Sequence, residues 1–326
     1  MLALQDTPTL PVSKTYRAHI EPAAVNRARA FAEAAKSSST RRAYGSDLRD
    51  FEAFCRRHGA PALPADPQTV ALYASDLAQR VKLATIRRRM VAISQAHRER
   101  GLESPTRHDM VRRILQGIAR TLGASQAKKT AITLDVLRQA LLAVNGDGVK
   151  ALRDRAILLL GFAAALRRSE IAALDVVDLH FAKQGLLVTI RRSKTDQIGE
   201  GCEIAVPYVA NRALCAATAV RAWLEAAALT AGPAFRSFTL RGQLTERRID
   251  GRDVANLVKT VADRARLEGD FSGHSLRAGF VTSAAEAGAT LDNISRTTRH
   301  KSMAVLSGYI RRADLFKDPA LASIVR

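Results

Sequence analysis

The sequence predicts a mainly α-helical protein in two units, with a small antiparallel β-sheet confined to the second unit. Three observations lead there. Apolar residues recur at three- and four-residue spacings over most of the chain beyond Pro22. That period gives way to strand-type runs only at Gly185–Arg191 and Cys202–Tyr208. There is no alternating strand–helix pattern, and neither GxGxxG nor a GxxxxGKS-type loop occurs, which excludes the common nucleotide-binding folds. A length of 326 residues, at roughly 150 residues per domain, agrees with two units.

In chain order, residues 1–20 read as a flexible arm without helical periodicity. The first unit spans 21–122. Between Thr40 and Gly59, Tyr44, Leu48, Phe51 and Cys55 share one helix face, with Ser39 or Thr40 as the expected N-cap. Asp66-Pro67 has the form of a cap followed by proline in the first turn, and its helix offers Val70, Tyr73, Leu77 and Val81 to a core. A third helix runs from Thr85 to about Arg100, with Ile86, Met90, Ile93 and His97 inward. Ser104-Pro105 opens a fourth, with Val111, Ile114, Leu115, Ile118 and Leu122 inward, and Gly123 can end it.

The polar, basic, aperiodic segment 123–130 reads as a linker. The second unit, 131–326, begins with helices at about Leu134–Val144 and Asp154–Leu166. The two strands follow, separated by the polar loop Ser193–Gly201. Helices are then expected at about 211–229, 251–266, 275–287, 291–298 and 303–311, and a short apolar helix, Asp318–Val325, ends the chain.

Composition narrows the function. Fifty-one Lys plus Arg against 31 Asp plus Glu give a net charge of +20, a field that points to a polyanion, nucleic acid before an anionic membrane. Residues 1–130 hold 23 Lys plus Arg and 11 Asp plus Glu, and the remainder 28 and 20, so both units are basic. Three widely separated cysteines without CxxC argue against a disulfide scaffold or a zinc module. The longest charge-free apolar run, Ala156–Leu166, is too short to cross a bilayer about 30 Å thick as a helix. No secretion signal is evident, and a cytoplasmic, nucleoid-associated protein is expected. HExxH, GxSxG and clustered carboxylates are absent, so a metal or serine hydrolase is not indicated.

Several polar residues stand out within apolar surroundings. Arg167 and Glu170, three apart, can share a helix face, so the carboxylate can steady the arginine. His274 and Arg277, in Gly-His-Ser-Leu-Arg, combine a fork of donors with a group that moves protons near neutral pH. Lys194 occupies the loop between the strands. His300 and Tyr309 come last, with Arg311 and Arg312 beside the tyrosine, and a positive field makes a phenol a better nucleophile. Taken singly, each has a commoner structural reading: a solvated helix-end arginine, a capping histidine, a turn lysine, a core aromatic.

Taken in order, Arg-xx-Glu, hairpin Lys, His-xx-Arg, His, and Tyr nine residues beyond that His resemble the tyrosine recombinase (phage integrase) family. Ser-Gly-His-Ser-Leu-Arg and Gly-Tyr-Ile-Arg are most similar to the Cre-type members. The resemblance implies a helical, SAM-like core-binding domain over the first unit and a catalytic domain over 131–326. It also implies a site-specific recombinase that cuts and rejoins DNA through a 3′-phosphotyrosine and a Holliday junction, with no metal, ATP or other cofactor.

By resemblance, Tyr309 is the nucleophile, and Arg167 and Arg277 bind the phosphate oxygens. Lys194 protonates the leaving oxygen, His274 accepts the Tyr309 proton or holds the phosphate, and His300 donates a further hydrogen bond. Glu170 orients the site from behind. Thr40, Arg41 and Arg42 on one helix, and Arg87, Arg88 and Arg89 on another, are the residues expected to meet double-stranded DNA. The C-terminal helix is expected to dock on a neighbouring protomer and build a homotetramer on two DNA sites. Two departures stand out. Thr298-Arg299-His300 replaces the usual Leu-Gly-His, and His300 stands where Cre has Trp. A DNA-binding protein without catalysis and a type IB topoisomerase-like strand-transfer enzyme are the alternative readings.

Overall fold

The computed structural model describes residues 21–123, 129–191 and 201–299. Lys194, His300, Tyr309 and the helices expected at 303–311 and 318–325 lie outside the described residues. The chain divides into two compact units, with the boundary between Gln126 and Ala127.

The N-terminal unit consists of α1 (Pro22–Ala34), α2 (Ser38–Arg57), α3 (Pro67–Ala78), α4 (Leu83–Glu99) and α5 (Asp109–Leu122). Its core is built from the faces that periodicity marked: Phe51 and Cys55 of α2, Val70, Tyr73 and Leu77 of α3, Ile86, Met90 and Ile93 of α4, and Val111 of α5. His97 is a core histidine. It is buried and accepts the Ala65 N–H at Nε2 (2.9 Å), and its Nδ1 lies 2.8 Å from the Ile93 carbonyl.

Three boundaries differ from expectation. The cap of α2 is Ser37, whose hydroxyl accepts the Thr40 N–H at 3.2 Å, so neither Ser39 nor Thr40 caps it. Ser37 to Thr40 are four consecutive hydroxyl residues, and composition does not choose among them. Ser104-Pro105 opens only a three-residue 3-10 turn. α5 starts afresh at Asp109, with the His108 ring accepting the Met110 N–H. Leu122, expected inward, is exposed at the last residue of α5.

The C-terminal unit contains α6 (Leu134–Leu142), α7 (Val149–Ala163), α8 (Arg168–Ala173), β1 (Leu179–Phe181), β2 (Gly185–Ile190) and β3 (Cys202–Pro207). It continues with α9 (Ala216–Ala226), β4 (Arg236–Phe238), β5 (Leu244–Arg248), α10 (Gly251–Arg264), α11 (Ser275–Glu286) and α12 (Leu291–Thr298). The three-stranded sheet β1-β2-β3 is antiparallel, and β2 and β3 pair from Gly185↔Pro207 to Ile190↔Cys202. β4 and β5 form a separate antiparallel pair.

α7 is the central helix, with Ile157, Leu158 and Leu160 buried, and it packs on α9 and α11. Trp223 of α9 is fully buried and donates its indole N–H to the Ala234 carbonyl at 2.8 Å. α7 runs from Val149 to Ala163 rather than from Asp154 to Leu166. It stops because Ala165 turns into the left-handed region (φ 47°), and the N–H of Leu166 returns to the Gly161 carbonyl at 3.0 Å. Among the described residues no helix is long and apolar enough to cross a membrane.

Candidate active site

The turn between α7 and α8 positions the first arginine. After left-handed Ala165, Arg167 is extended (φ −75°, ψ 149°) and serves as the N-cap of α8. Glu170, in the first turn, closes back on it. One carboxylate oxygen accepts the Arg167 backbone N–H at 2.9 Å and the other accepts Nη1 at 2.6 Å. Glu170 is buried and Arg167 is mostly buried. The arginine is therefore held at two points by one carboxylate and is not a loose helix-end charge.

The second arginine comes from α11. Arg277 is 1% exposed, an uncommon environment for a guanidinium unless it is fully hydrogen-bonded. Its Nη1 donates to the Ala165 carbonyl at 2.8 Å, two residues before Arg167. Its Nη2 donates to the carbonyl of Thr298, the last residue of α12. The start of α11 comes close to α8 because residue 273 is glycine: a Cβ there would sit 2.8 Å from the Cβ of Arg168. His274 is the N-cap position of α11 and is exposed.

The structure thus draws Arg167, Glu170 and Arg277 together around the α7–α8 turn, with His274 three residues before Arg277. Of the remaining expected residues, Lys194, His300 and Tyr309 lie outside the described residues. The two strands that flank the Lys194 loop are tied down at their bases. On one side Arg191 pairs with Asp175 and with Asp178 (2.7 Å). The hydrogen bond from Arg191, opposed by partial burial and reinforced by Arg248, holds the Asp175 carboxyl below its ordinary range. On the other side, Nη1 of Arg299 lies 3.9 Å from the Cys202 sulfur.

Arg299 also donates to Glu170 Oε2 at 3.0 Å, so Glu170 lies between two guanidinium groups. In the sequence Arg299 stands out only as a departure from Leu-Gly-His. Nothing in the sequence links it to Glu170, 129 residues earlier. Among the described residues no group of His, Cys, Asp and Glu is arranged to hold a metal ion.

In the N-terminal unit the residues expected to meet DNA fall on two helices that pack together, α2 and α4. Arg41, Arg42 and Arg87 are exposed. Thr40, Arg88 and Arg89 make contacts within the unit. The Thr40 hydroxyl joins the cap, 2.8 Å from Ser37 Oγ. Arg88 makes a two-point pair with buried Asp47, Nε and Nη2 each at 2.9 Å. Arg89 pairs with Asp50, and its Nη1 lies 2.9 Å from the Tyr73 hydroxyl. Burial, and next the hydrogen bond to Asp50, push ionisation of the Tyr73 hydroxyl far above the normal phenol range.

Comparison with known proteins agrees with both units. Residues 130–315 match the model of the Phage integrase family. Residues 30–100 match that of the Phage integrase, N-terminal SAM-like domain. The chain belongs to the phage integrase family, the site-specific recombinases of the tyrosine class. Over 293 residues it is 38% identical to an integrase/recombinase xerD homolog of Selenomonas ruminantium, covering 89% of this chain and 86% of that one. It is 28% identical over 293 residues to the tyrosine recombinase XerC of Mycobacterium sp. strain KMS, covering 85% and 89%. A lambda integrase (75–356) dimer bound to a COC′ core site shares the fold, with a TM-score of 0.61 at 17% identity over 88% of this chain and 93% of that one.

Proposed function

We propose that this recombinase cuts and rejoins double-stranded DNA at a specific site through Tyr309. The Tyr309 oxygen attacks a backbone phosphate, a 3′-phosphotyrosine bond forms, and the bond to the 5′-oxygen breaks. Arg167 and Arg277 bind the non-bridging oxygens, where charge develops in the transition state. Lys194 delivers a proton to the leaving 5′-oxygen. His274 accepts the Tyr309 proton or holds the phosphate, and His300 donates a further hydrogen bond. Attack by the 5′-hydroxyl of a partner strand then releases the tyrosine. Each broken phosphodiester is replaced by a phosphotyrosine ester of similar energy, so no ATP is consumed, and two such exchanges pass through a Holliday junction.

The observation that carries this reading is the pairing of Arg167 and Arg277 around one turn. Arg277 is buried and bonded to the Ala165 carbonyl, and Arg167, two residues beyond Ala165, is braced by Glu170. A protein that only bound DNA would have no need of two arginines fixed in this way at a distance in sequence of 110 residues from each other. Fixed cations supply the charge that metal ions supply in other phosphoryl transfers. The exposed Arg41, Arg42 and Arg87 contribute phosphate or base contacts from the N-terminal unit. The C-terminal helix links protomers into a tetramer across two DNA sites, and the enzyme acts at the nucleoid.

The test is covalent capture. Purified full-length protein is mixed with nicked, sheared DNA of the source cell in the presence of EDTA, and SDS-resistant adducts are sequenced. An adduct is expected with the wild type and none with Tyr309→Phe. An adduct that needs Mg²⁺, or one that persists in the Phe variant, would overturn this mechanism.

A further inference from the structure

Arg299 ends α12 in the left-handed region (φ 57°, ψ 41°). Residues with a Cβ adopt that conformation at a cost, and helix ends usually assign it to glycine or asparagine. The side chain does not run out into solvent. It is 14% exposed, and its Nη2 donates to Glu170 Oε2 at 3.0 Å. Glu170, 2% exposed, spends its other oxygen on Arg167 Nη1 at 2.6 Å. The residue before Arg299 is Thr298, whose carbonyl accepts from Arg277. One turn of chain therefore grips Arg277 through its main chain, and through a side chain grips the carboxylate that grips Arg167.

We propose that Arg299 is a positioning residue for strand cleavage, acting on Arg167 through Glu170. This rests on the reading of Arg167 and Arg277 as phosphate ligands. A buried carboxylate with one guanidinium partner directs its whole charge at that partner and competes with phosphate for it. A second guanidinium shares the charge. Arg167 then stays fixed in place yet keeps its attraction for an incoming phosphate. If Arg299 were only a helix stop, glycine would serve at least as well, because it enters the left-handed region freely. The two roles therefore predict opposite results for one substitution.

The test compares full-length wild type, Arg299→Gly, Arg299→Lys, Glu170→Gln and the Glu170→Gln/Arg299→Gly double variant. The probe is the nicked, sheared DNA of the source cell, with Tyr309→Phe as control. Adduct formation rate, DNA affinity and thermal midpoint are measured. In Arg299→Gly the lost ion pair to buried Glu170 is largely offset by glycine's ease in the left-handed region and by the Arg167 contact that remains, so the midpoint is expected to fall by no more than about 4 °C and affinity to change by less than about twofold, while the adduct rate falls about tenfold or more. Arg299→Lys recovers part of the rate. With Glu170→Gln in place, Arg299→Gly adds less than about a further twofold, since both act through one contact. A wild-type rate in Arg299→Gly, or a fall matched by equal losses of midpoint and affinity, overturns the positioning role alone. No adduct from the wild type, or one that survives in Tyr309→Phe, overturns the phosphate-ligand reading and this role with it.

Discussion

Arg88 shows how a basic residue near the proposed DNA face can belong to the fold. Its guanidinium binds Asp47 at two points, and that carboxylate is 2% exposed while the arginine is half-exposed. Removing the arginine strands a buried charge whose remaining neighbour, Arg89 Nε, is 3.6 Å away. Loss of a partner from a fully buried pair costs about 3–5 kcal/mol. The exposure of Arg88 screens its share, so Arg88→Ala is expected to lower stability by about 1–2 kcal/mol. Urea unfolding measures this directly. A variant as stable as the wild type, yet selectively defective on its own DNA site, would instead make Arg88 a base-reading residue. The sequence shows Arg87, Arg88 and Arg89 as one basic run. Their division into one exposed cation and two committed to carboxylates depends on Asp47 and Asp50, 41 and 39 residues earlier, which no local pattern reveals.

The elements differ in how far the sequence reveals them. α2, α3 and α4 were legible because each buries a regular stripe bounded by a recognisable turn. β1 and β4 were not, because three residues such as Arg236-Ser237-Phe238 are too few to establish an alternation, and β5 was not, because Leu244-Thr-Glu-Arg-Arg248 runs polar without alternating. Close approaches were equally hidden. Ile132 donates its backbone N–H to the Ser275 carbonyl at 2.9 Å as the chain enters the C-terminal unit. Its own carbonyl lies against α11 at Gly279, where a Cβ would come within 1.7 Å of that oxygen. Backbone cannot give way as a flexible side chain can. Gly279→Ala is therefore expected to destabilise the C-terminal unit by about 3 kcal/mol, the upper end for overpacking, and to loosen α11, which carries Arg277. A thermal midpoint within a degree or so of the wild type would show that the entering segment shifts freely, because about 1 kcal/mol already moves a domain of this size by roughly 2–4 °C.

At the scale of the whole molecule, both units are basic, which suits two bodies that meet one polyanion. The proposed chemistry draws on groups spread along the chain: Arg167 follows α7, Arg277 sits on α11, and Tyr309 comes near the end of the sequence. The proposed assembly runs through the last residues, whose apolar members in the sequence are Leu321, Ile324 and Val325. Deleting 317–326 is expected to leave binding to a single DNA site unchanged and to abolish pairing of two sites, as read by gel retardation and by recombination of a two-site plasmid. Unaltered recombination would reject docking through this helix. Trp223 offers a way to follow such variants one half at a time. It is the one tryptophan of the chain, wholly enclosed in the C-terminal unit with its indole N–H committed to Ala234. Its emission is thus an optical label that reports on a single unit without any dye. Melting followed by that emission should shift in Gly279→Ala and hold its place in Arg88→Ala.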